Sequence, residues 1–260
     1  MLGQELILAK AKNPHRRIGI GAAEDVQKVE ASVAIANSSG YGRTTIYNDP
    51  DLMVKALKNG ELDAAVRGGL DSNLTIRALK REFALEHVLR MAILEPRNGR
   101  PFFFAPVGVD EGWTVEQKLE LITLGARLMR QIGLEPKVGV LSGGRHGDRG
   151  RNPTVDRTLA DAEEVVKRAI SQGIQAKDCE ILIEEAAREC NMIIAPDGIA
   201  GNLIFRTLHF LGDGKALGAV VLNLDKVFVD TSRAKSSYLD SIALASALVG
   251  ARKGIETKPQ

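Results

Sequence analysis

The residues from Pro196 to Ala245 decide the predicted fold. This stretch begins PDGIAGNL (196–203) and ends VDTSRAKSSYLDSIALA (229–245), with the apolar run Ala219–Leu222 between the two segments. Polar, small and charged residues therefore stand where predicted strands give way to predicted helices. That arrangement is typical of α/β proteins, which build their binding sites at such points.

Short apolar segments alternate with helical periodicity along the rest of the chain. Predicted helices begin at Asp49-Pro50 and at Asn152-Pro153, where a capping side chain precedes a proline, and they end near Gly60 and Gly173. Two more helices are predicted over 114–132 and 237–249. The strand-like runs are Arg17–Ile20, Ala64–Val66, Arg90–Leu94, Pro101–Ala105, Lys137–Leu141, Met192–Ala195 and Ala219–Leu222. This alternation predicts an α/β fold with a largely parallel sheet.

The composition excludes several functional classes. The 260 residues carry 35 basic and 33 acidic side chains, so a net charge of +2 gives no general attraction to nucleic acid or membrane. Cys179 and Cys190 lie in no CxxC or Cys/His cluster, which argues against a disulfide framework and a structural zinc site, and we predict no metal site. No run of about 18 apolar residues occurs, and we expect a soluble, cytoplasmic protein.

Three motifs in the carboxyl-terminal third follow a known pattern. They are Pro196-Asp197 with Gly201-Asn202, the run Gly212–Gly218, and Asp230-x-Ser232-Arg233 followed by Asp240. In these motifs, and upstream over 63–69, 75–79 and 133–142, the sequence resembles phosphate acetyl- and butyryltransferases. Within that superfamily it is similar to the methanogenesis marker group labelled MtxX, which is often called a methyltransferase.

The resemblance implies a particular version of the α/β fold. It is a two-lobed, three-layer α/β/α architecture of the kind found in isocitrate and isopropylmalate dehydrogenases. The first lobe is expected to comprise residues 1–88 and 223–260, the second 89–222, with a cleft between them. The resemblance also implies a homodimer. The apolar run Ile242–Val249 agrees with this expectation, because it is longer than one helix face needs.

A glycine- and arginine-rich segment follows the predicted strand Lys137–Leu141. It begins Ser142-Gly143-Gly144-Arg145 and continues to Arg151, just before a predicted helix start. Glycines let backbone N–H groups turn toward an anion, a helix start adds partial positive charge, and arginine binds phosphate through two hydrogen bonds. We therefore predict an anion site formed by these four residues. The alternative is a mobile basic surface loop.

Ser232, Arg233 and Asp240 bring a hydroxyl, a cation and a carboxylate close to one predicted strand end. The resemblance implies that they bind a phosphoryl or carbonyl oxygen and deprotonate the thiol of coenzyme A. Arg233 would neutralise charge in the transition state, and Asp240 is the candidate general base. The alternative is a turn serine, a surface ion-pair arginine and a solvated acid in the first turn of a helix.

Four further residues are assigned to the site or its edge. Arg77 matches the family arginine that helps to bind the anionic substrate, and its alternative is an exposed helical arginine. Arg67 either adds a cation to the anion site or pairs with Asp71. The resemblance places Asp197 and Asn202 at a cleft edge near the acyl-carrying ligand, whereas turn chemistry with a helix cap is their alternative.

Three functions remain open at the level of sequence. The first is group transfer with a phosphate-bearing or thiol-cofactor substrate, no required cofactor, and coenzyme A or coenzyme M as the candidate thiol. The second, suggested by the MtxX label, is methyl transfer from a pterin or corrinoid donor. The third is a non-catalytic anion-binding subunit. In each case the expected partners are a small anion and a second copy of the chain, without nucleic acid or membrane.

Overall fold

A computed structural model describes residues 9–23, 25–97 and 99–256. The two ends of the predicted first lobe, residues 1–8 and 257–260, lie outside this range. Contacts group the described residues into two compact units. The first contains the residues up to Val88 and those from Leu217 onward, and the second is Leu89–Ala216.

Strands and helices alternate along the described chain, which confirms the predicted α/β class. In order they are β1 (Arg17–Gly21), α1 (Val26–Ser38), β2 (Arg43–Tyr47), α2 (Pro50–Lys58), β3 (Ala64–Val66), α3 (Ser72–Phe83), β4 (Arg90–Glu95), β5 (Phe102–Ala105), α4 (Val115–Gln131), β6 (Lys137–Val140), α5 (Pro153–Ser171), β7 (Gln175–Asp178), α6 (Ile183–Glu189), β8 (Met192–Ile194), α7 (Gly198–Arg206), β9 (Lys215–Val221), β10 (Val227–Asp230) and α8 (Leu239–Glu256).

The first unit contains a mostly parallel sheet in the order β2-β1-β3-β10-β9. Val66 in β3 lies opposite Ile20 in β1 on one side and Val229 in β10 on the other. Among the strands described in this unit, β9 alone runs antiparallel to its neighbour, β10. The carboxyl ends of β1, β3 and β10 therefore share one edge of the sheet, and the loops that follow these strands begin there.

Helix α8 packs against β1, β3, β10 and α1 within the first unit. Its residues from Ile242 to Val249 are each no more than 4 % exposed, because the helix is covered on several sides by its own chain. This apolar run is therefore core. The structure corrects the sequence argument that linked the run to a dimer surface.

The second unit contains strands in the order β4-β5-β8-β6-β7. β4 is antiparallel to β5, and the remaining neighbours are parallel. The loops after β5, β6, β7 and β8 consequently begin at one edge of this set of strands. Among the described residues, no helix has the length and apolar character needed to cross a membrane.

Candidate functional site

A buried ion pair lies at the carboxyl edge of the sheet in the first unit. Arg67, directly after β3, pairs through Nε with the carboxylate of Asp230 at the end of β10, and the two side chains are 7 % and 13 % exposed. Arg67 Nη1 also donates to the Leu70 carbonyl at 2.7 Å, and Asp230 Oδ1 accepts the N–H of Thr231 at 2.8 Å. Arg67 therefore pairs with Asp230 instead of Asp71, which corrects one alternative drawn from the sequence.

The backbone at this edge is closely packed. Gly68 has φ of +59°, a conformation that glycine adopts without strain, and an added Cβ there would overlap the carbonyl oxygen of Gly21. The N–H of Gly69 donates to the same oxygen at 2.8 Å. The ends of β1 and β3 are thus held together, and the loop that carries Arg67 has a fixed course.

Ser232 and Arg233 follow β10 directly. The hydroxyl of Ser232 accepts the N–H of Ala234 at 3.2 Å, as a turn serine does. The Arg233 side chain is exposed and forms no ion pair with any residue that the structure describes, although its carbonyl accepts Lys28 Nζ at 2.9 Å. Arg233 therefore has no ion-pair partner within 4.0 Å among the described residues, although its charge acts on Asp71.

The pKa of Asp71 is affected by the charges of both arginines. It caps α3 by accepting the N–H of Leu74 at 2.9 Å. That hydrogen bond lowers the pKa of Asp71 below its usual value, and the positive charges of Arg233 and Arg67 act in the same direction. A negative group placed at this edge is stabilised by the same charges.

Lys235 belongs to this edge, although sequence reasoning missed it. Its Nζ donates to Ser241 Oγ at 3.2 Å and to the Leu217 carbonyl at 3.4 Å, and Ser241 Oγ donates to the same carbonyl at 2.6 Å. Burial lowers the pKa of Lys235 to about 8, and the charge of Asp240 opposes this shift. The signal in the sequence was its position between the Ser232-Arg233 pair and Asp240.

The depressed pKa of Lys235 makes a pH-dependent prediction. Between pH 8 and 10 the unfolded chain holds a proton on this lysine that the folded chain releases, so wild-type stability contributed by this group rises with pH. Below pH 8 both states are protonated, and the folded state bears the full cost of burying the ammonium. We expect Lys235→Met to raise the free energy of unfolding by about 1–3 kcal/mol at pH 7, with the gain shrinking toward pH 10.

Urea denaturation of both proteins at several pH values measures this difference. A gain that does not depend on pH would mean that Lys235 titrates normally and that the methionine side chain in the variant acts through packing alone. A loss of stability at pH 7 would mean that the hydrogen bonds of Nζ outweigh its desolvation.

Arg77 lies on an exposed face of α3, in the first unit. Its side chain forms no ion pair or hydrogen bond with the residues that the structure describes, whereas its neighbour Ala78 is buried. Its position is therefore that of an exposed helical arginine with a free guanidinium group. Its assignment to substrate binding stays a prediction.

Backbone N–H groups of the loop after β6 donate hydrogen bonds to acceptors within the same chain. Ser142 donates to the Glu180 carbonyl and Gly143 to Thr158 Oγ1, each at 2.8 Å. Arg145 donates to Asp148 Oδ2 and His146 to Glu180 Oε1, again at 2.8 Å. These N–H groups have protein acceptors, which corrects the prediction that they bind an anion.

The side chains of the same loop divide into two groups. The Ser142 hydroxyl is buried and donates to the Gly144 carbonyl at 2.9 Å, so it holds the loop closed. The Arg145 side chain is exposed and has no ion-pair partner within 4.0 Å among the described residues. Of the four residues assigned to the anion site, Arg145 is therefore the one whose side chain can still take the predicted role.

Asp197 and Asn202 both hold the backbone around α7. Asp197 Oδ1 accepts the N–H of Ala200 at 2.8 Å and caps the helix, which confirms the alternative of turn chemistry. Asn202 Nδ2 donates to the Val107 carbonyl at 2.7 Å. An added Cβ at Gly198 or Gly201 would overlap a carbonyl oxygen of the segment 106–108. These residues fasten α7 to that segment.

A second buried ion pair, also missed from the sequence, lies in the second unit. Arg90 Nε donates to Glu111 Oε1 at 2.5 Å, and the Arg90 N–H donates to Glu111 Oε2 at 3.1 Å. Burial raises the pKa of Glu111, and the charge of Arg90 opposes that effect. Glu111 therefore has a structural partner on β4.

Comparisons with known proteins assign the chain to a family. It is 44% identical to a Methanosarcina mazei protein over 94% of both chains, and 48% identical to a Methanosarcina barkeri protein over 88% of this chain and 82% of that one. Phosphate acetyltransferase from Corynebacterium glutamicum is 26% identical over 75% of this chain and 64% of its own length. No protein-family model matches the sequence.

Solved structures support the same grouping at the level of fold. A phosphotransacetylase from Streptococcus pyogenes has a TM-score of 0.72 and 17% identity, over 99% of this chain and 100% of its own. A branched-chain phosphotransacylase from Enterococcus faecalis has the same TM-score over 90% and 99%. The fold is that of the phosphotransacylase-like superfamily, and within it the chain belongs to the family of the Methanosarcina proteins described as "Putative methyltransferase mtx subunit X".

Proposed function

We propose that the chain is a group-transfer enzyme whose substrate carries a phosphate group or a cofactor thiol, and that the carboxyl edge of the first sheet holds the reacting group. One observation carries this proposal. Of the two arginines at this edge, Arg67 is neutralised by Asp230, whereas the guanidinium of Arg233, the residue after Ser232, has no ion-pair partner within 4.0 Å among the described residues. A free cation at a strand end is suited to a ligand anion.

The residues at this edge have the chemistry that transfer of an acyl group requires. The thiol sulfur attacks the acyl carbon, the bond from that carbon to the phosphate oxygen breaks, and the phosphate leaves with the electron pair. Arg233 and the Ser232 hydroxyl stabilise the charge that develops on oxygen, and Asp240 accepts the thiol proton. Catalysis of this kind rests on positioning and charge neutralisation.

Two further arginines are candidates for anion binding, Arg77 in the first unit and Arg145 in the second. Both are exposed and lack ion-pair partners among the described residues. We assign each of them to binding an anionic group within its own unit. Ser142, Gly143, Gly144, Asp197 and Asn202 act in this proposal through the backbone that they hold in place.

Methyl transfer is the second candidate. The description of the relatives that are 44% and 48% identical favours it. The methyl group would pass from a pterin or corrinoid donor to a thiol such as coenzyme M, and Asp240 would again accept the thiol proton. A third candidate is a binding subunit that retains the anion site without catalysis.

A ligand screen distinguishes the three candidates. Purified protein is titrated calorimetrically with coenzyme A, coenzyme M, inorganic phosphate and a methylated pterin, and transfer from acyl phosphates and from the pterin is followed by mass spectrometry. Product from an acyl phosphate and coenzyme A supports the first proposal, and methylated coenzyme M supports the second. Binding of phosphate without any transfer supports the third and contradicts catalysis.

We also propose a homodimer, with its contact on α7 and the turn that follows it. Leu203 and Leu211 are 61% and 82% exposed, and we assign these two side chains to the contact because burying them against a second copy removes apolar surface from water. The small net charge of +2 offers little repulsion between copies. Sedimentation at micromolar concentration should give a dimer for the wild type and a monomer for Leu203→Glu with Leu211→Glu. A wild-type monomer, or a dimer that the two changes leave intact, contradicts this proposal.

A further inference from the structure

Three carboxylate side chains lie around the imidazole of His146 in the second unit. His146 lies in the loop after β6, Glu163 on α5, Asp178 at the end of β7, and Glu180 just beyond it. The ring Nε2 is 3.2 Å from Asp178 Oδ2 and 3.8 Å from Glu180 Oε1, and Nδ1 is 3.6 Å from Glu163 Oε1. Ligand atoms of His146, Glu163 and Asp178 all lie within 4.8 Å of one another.

Asp178 Oδ2 is a buried oxygen without a hydrogen-bond partner among the described residues. Its companion oxygen Oδ1 accepts the N–H of Glu180 at 2.8 Å, which fixes the carboxylate plane. His146 Nε2 is near enough to donate to Oδ2, but the two atoms are not aligned for a hydrogen bond. A buried carboxylate oxygen without a partner is costly. Two ligand atoms that are close together but not aligned are expected when both face a third atom, such as a cation.

We infer that His146 Nε2 and Asp178 Oδ2 bind a divalent first-row transition-metal ion, a site that lies wholly within the second unit, with Glu180 Oε1 3.8 Å from the same ring nitrogen. Zinc bonds of about 2.1 Å place two ligands about 3.2–3.8 Å apart when the angle between them is roughly 100–130°. The Nε2 distances of 3.2 Å and 3.8 Å to the two carboxylates match this range. One imidazole with two carboxylates suits zinc or a neighbouring transition metal better than magnesium or calcium.

Glu163 has the position of a supporting residue. A metal-bound histidine usually donates its second ring N–H to a carboxylate, which fixes the ring orientation, and Glu163 faces Nδ1 of His146. Arg149 Nη2 pairs with Glu163 Oε1 and holds it there. The three carboxylates around His146 outnumber this one guanidinium, and a divalent ion would balance the excess charge.

The sequence predicted no metal site because no short motif contains these residues. His146 follows β6 and Asp178 ends β7, and these two strands are parallel neighbours in the sheet. Their carboxyl ends adjoin only in the folded chain.

Metal binding by tag-free protein tests the site. Metal-depleted protein is dialysed against Zn²⁺, Mn²⁺ or Mg²⁺, and bound metal is counted per chain while calorimetry measures the Zn²⁺ affinity. We expect one Zn²⁺ per chain, weaker Mn²⁺ binding and no Mg²⁺ at the same concentration. His146→Gln and Asp178→Asn should each weaken Zn²⁺ binding at least about 30-fold. Glu164→Gln, which changes an acidic residue beside Glu163, should leave it unchanged.

Two results would overturn the site. One is Zn²⁺ binding that is weak, exceeds one per chain, and is the same in wild type, His146→Gln and Asp178→Asn. The other is an equal loss of affinity in Glu164→Gln. His146 is more exposed than Asp178, so His146→Gln should disturb folding less than Asp178→Asn does. Thermal unfolding of the metal-free variants separates a folding defect from the loss of a metal ligand.

Discussion

Replacing Asp230 with alanine is expected to lower the free energy of unfolding by about 3–5 kcal/mol, because it leaves the buried guanidinium of Arg67 without its partner. Asp230 also accepts the N–H of Thr231, so the change removes an anchor of the loop that carries Ser232 and Arg233. Urea denaturation at pH 7 measures the loss. This loss of stability should exceed the loss caused by replacing any exposed charged residue of the same unit with alanine.

Asp225→Ala is the matched control for this prediction. Asp225 is an exposed residue near the start of β10 and should change stability by less than about 0.5 kcal/mol. A double change, Arg67→Met with Asp230→Leu, should recover much of the lost stability because it removes both charges. If Asp230→Ala destabilises no more than Asp225→Ala does, the pair is solvated in solution and does not hold the loop.

The buried strands of the fold could be predicted because their sequences are continuously apolar. Ala64–Val66, for example, was placed with its observed bounds. Three other strands were missed, for different physical reasons. β2 (RTTIY) and β7 (QAKD) are partly exposed and have polar sequences. β10 (VFVD) lies between the polar residues Asp225-Lys226 and Thr231-Ser232, so its apolar part is only three residues long and ends in an acid. Their strand conformation depends on neighbours that are distant in sequence.

The sequence could identify candidate site residues, but it could not show which residues pair with one another. Ser232, Arg233 and Asp240 are close together in sequence and could be singled out, whereas the partner of Arg67 is 163 positions away. The same limit explains the loop after β6. Its glycines and arginines indicate an anion site, but the acceptors Glu180 and Thr158 that occupy its N–H groups come from elsewhere in the chain.

Arg233→Ala should weaken binding of inorganic phosphate or coenzyme A by about 10- to 100-fold, and it should reduce any transfer reaction at least as much. A charge-assisted hydrogen bond contributes about 1.5–3 kcal/mol to binding, and more where charge develops in a transition state. Stability should stay within about 1 kcal/mol of the wild type, because the side chain is exposed and unpaired among the described residues. Calorimetry and thermal unfolding of the same samples give both quantities.

Arg43→Ala provides the comparison that makes this result specific. Arg43 is also exposed and unpaired among the residues described, but it begins β2 and therefore lies at the opposite, amino-terminal edge of the same parallel sheet. Arg43→Ala removes the same charge as Arg233→Ala, so an effect of net charge alone would weaken phosphate binding equally in both variants. Loss of affinity in Arg233→Ala alone places the anion at the carboxyl edge. If Arg233→Ala instead unfolds the protein while the affinity per folded molecule is unchanged, Arg233 has a structural role and the transfer site must lie elsewhere.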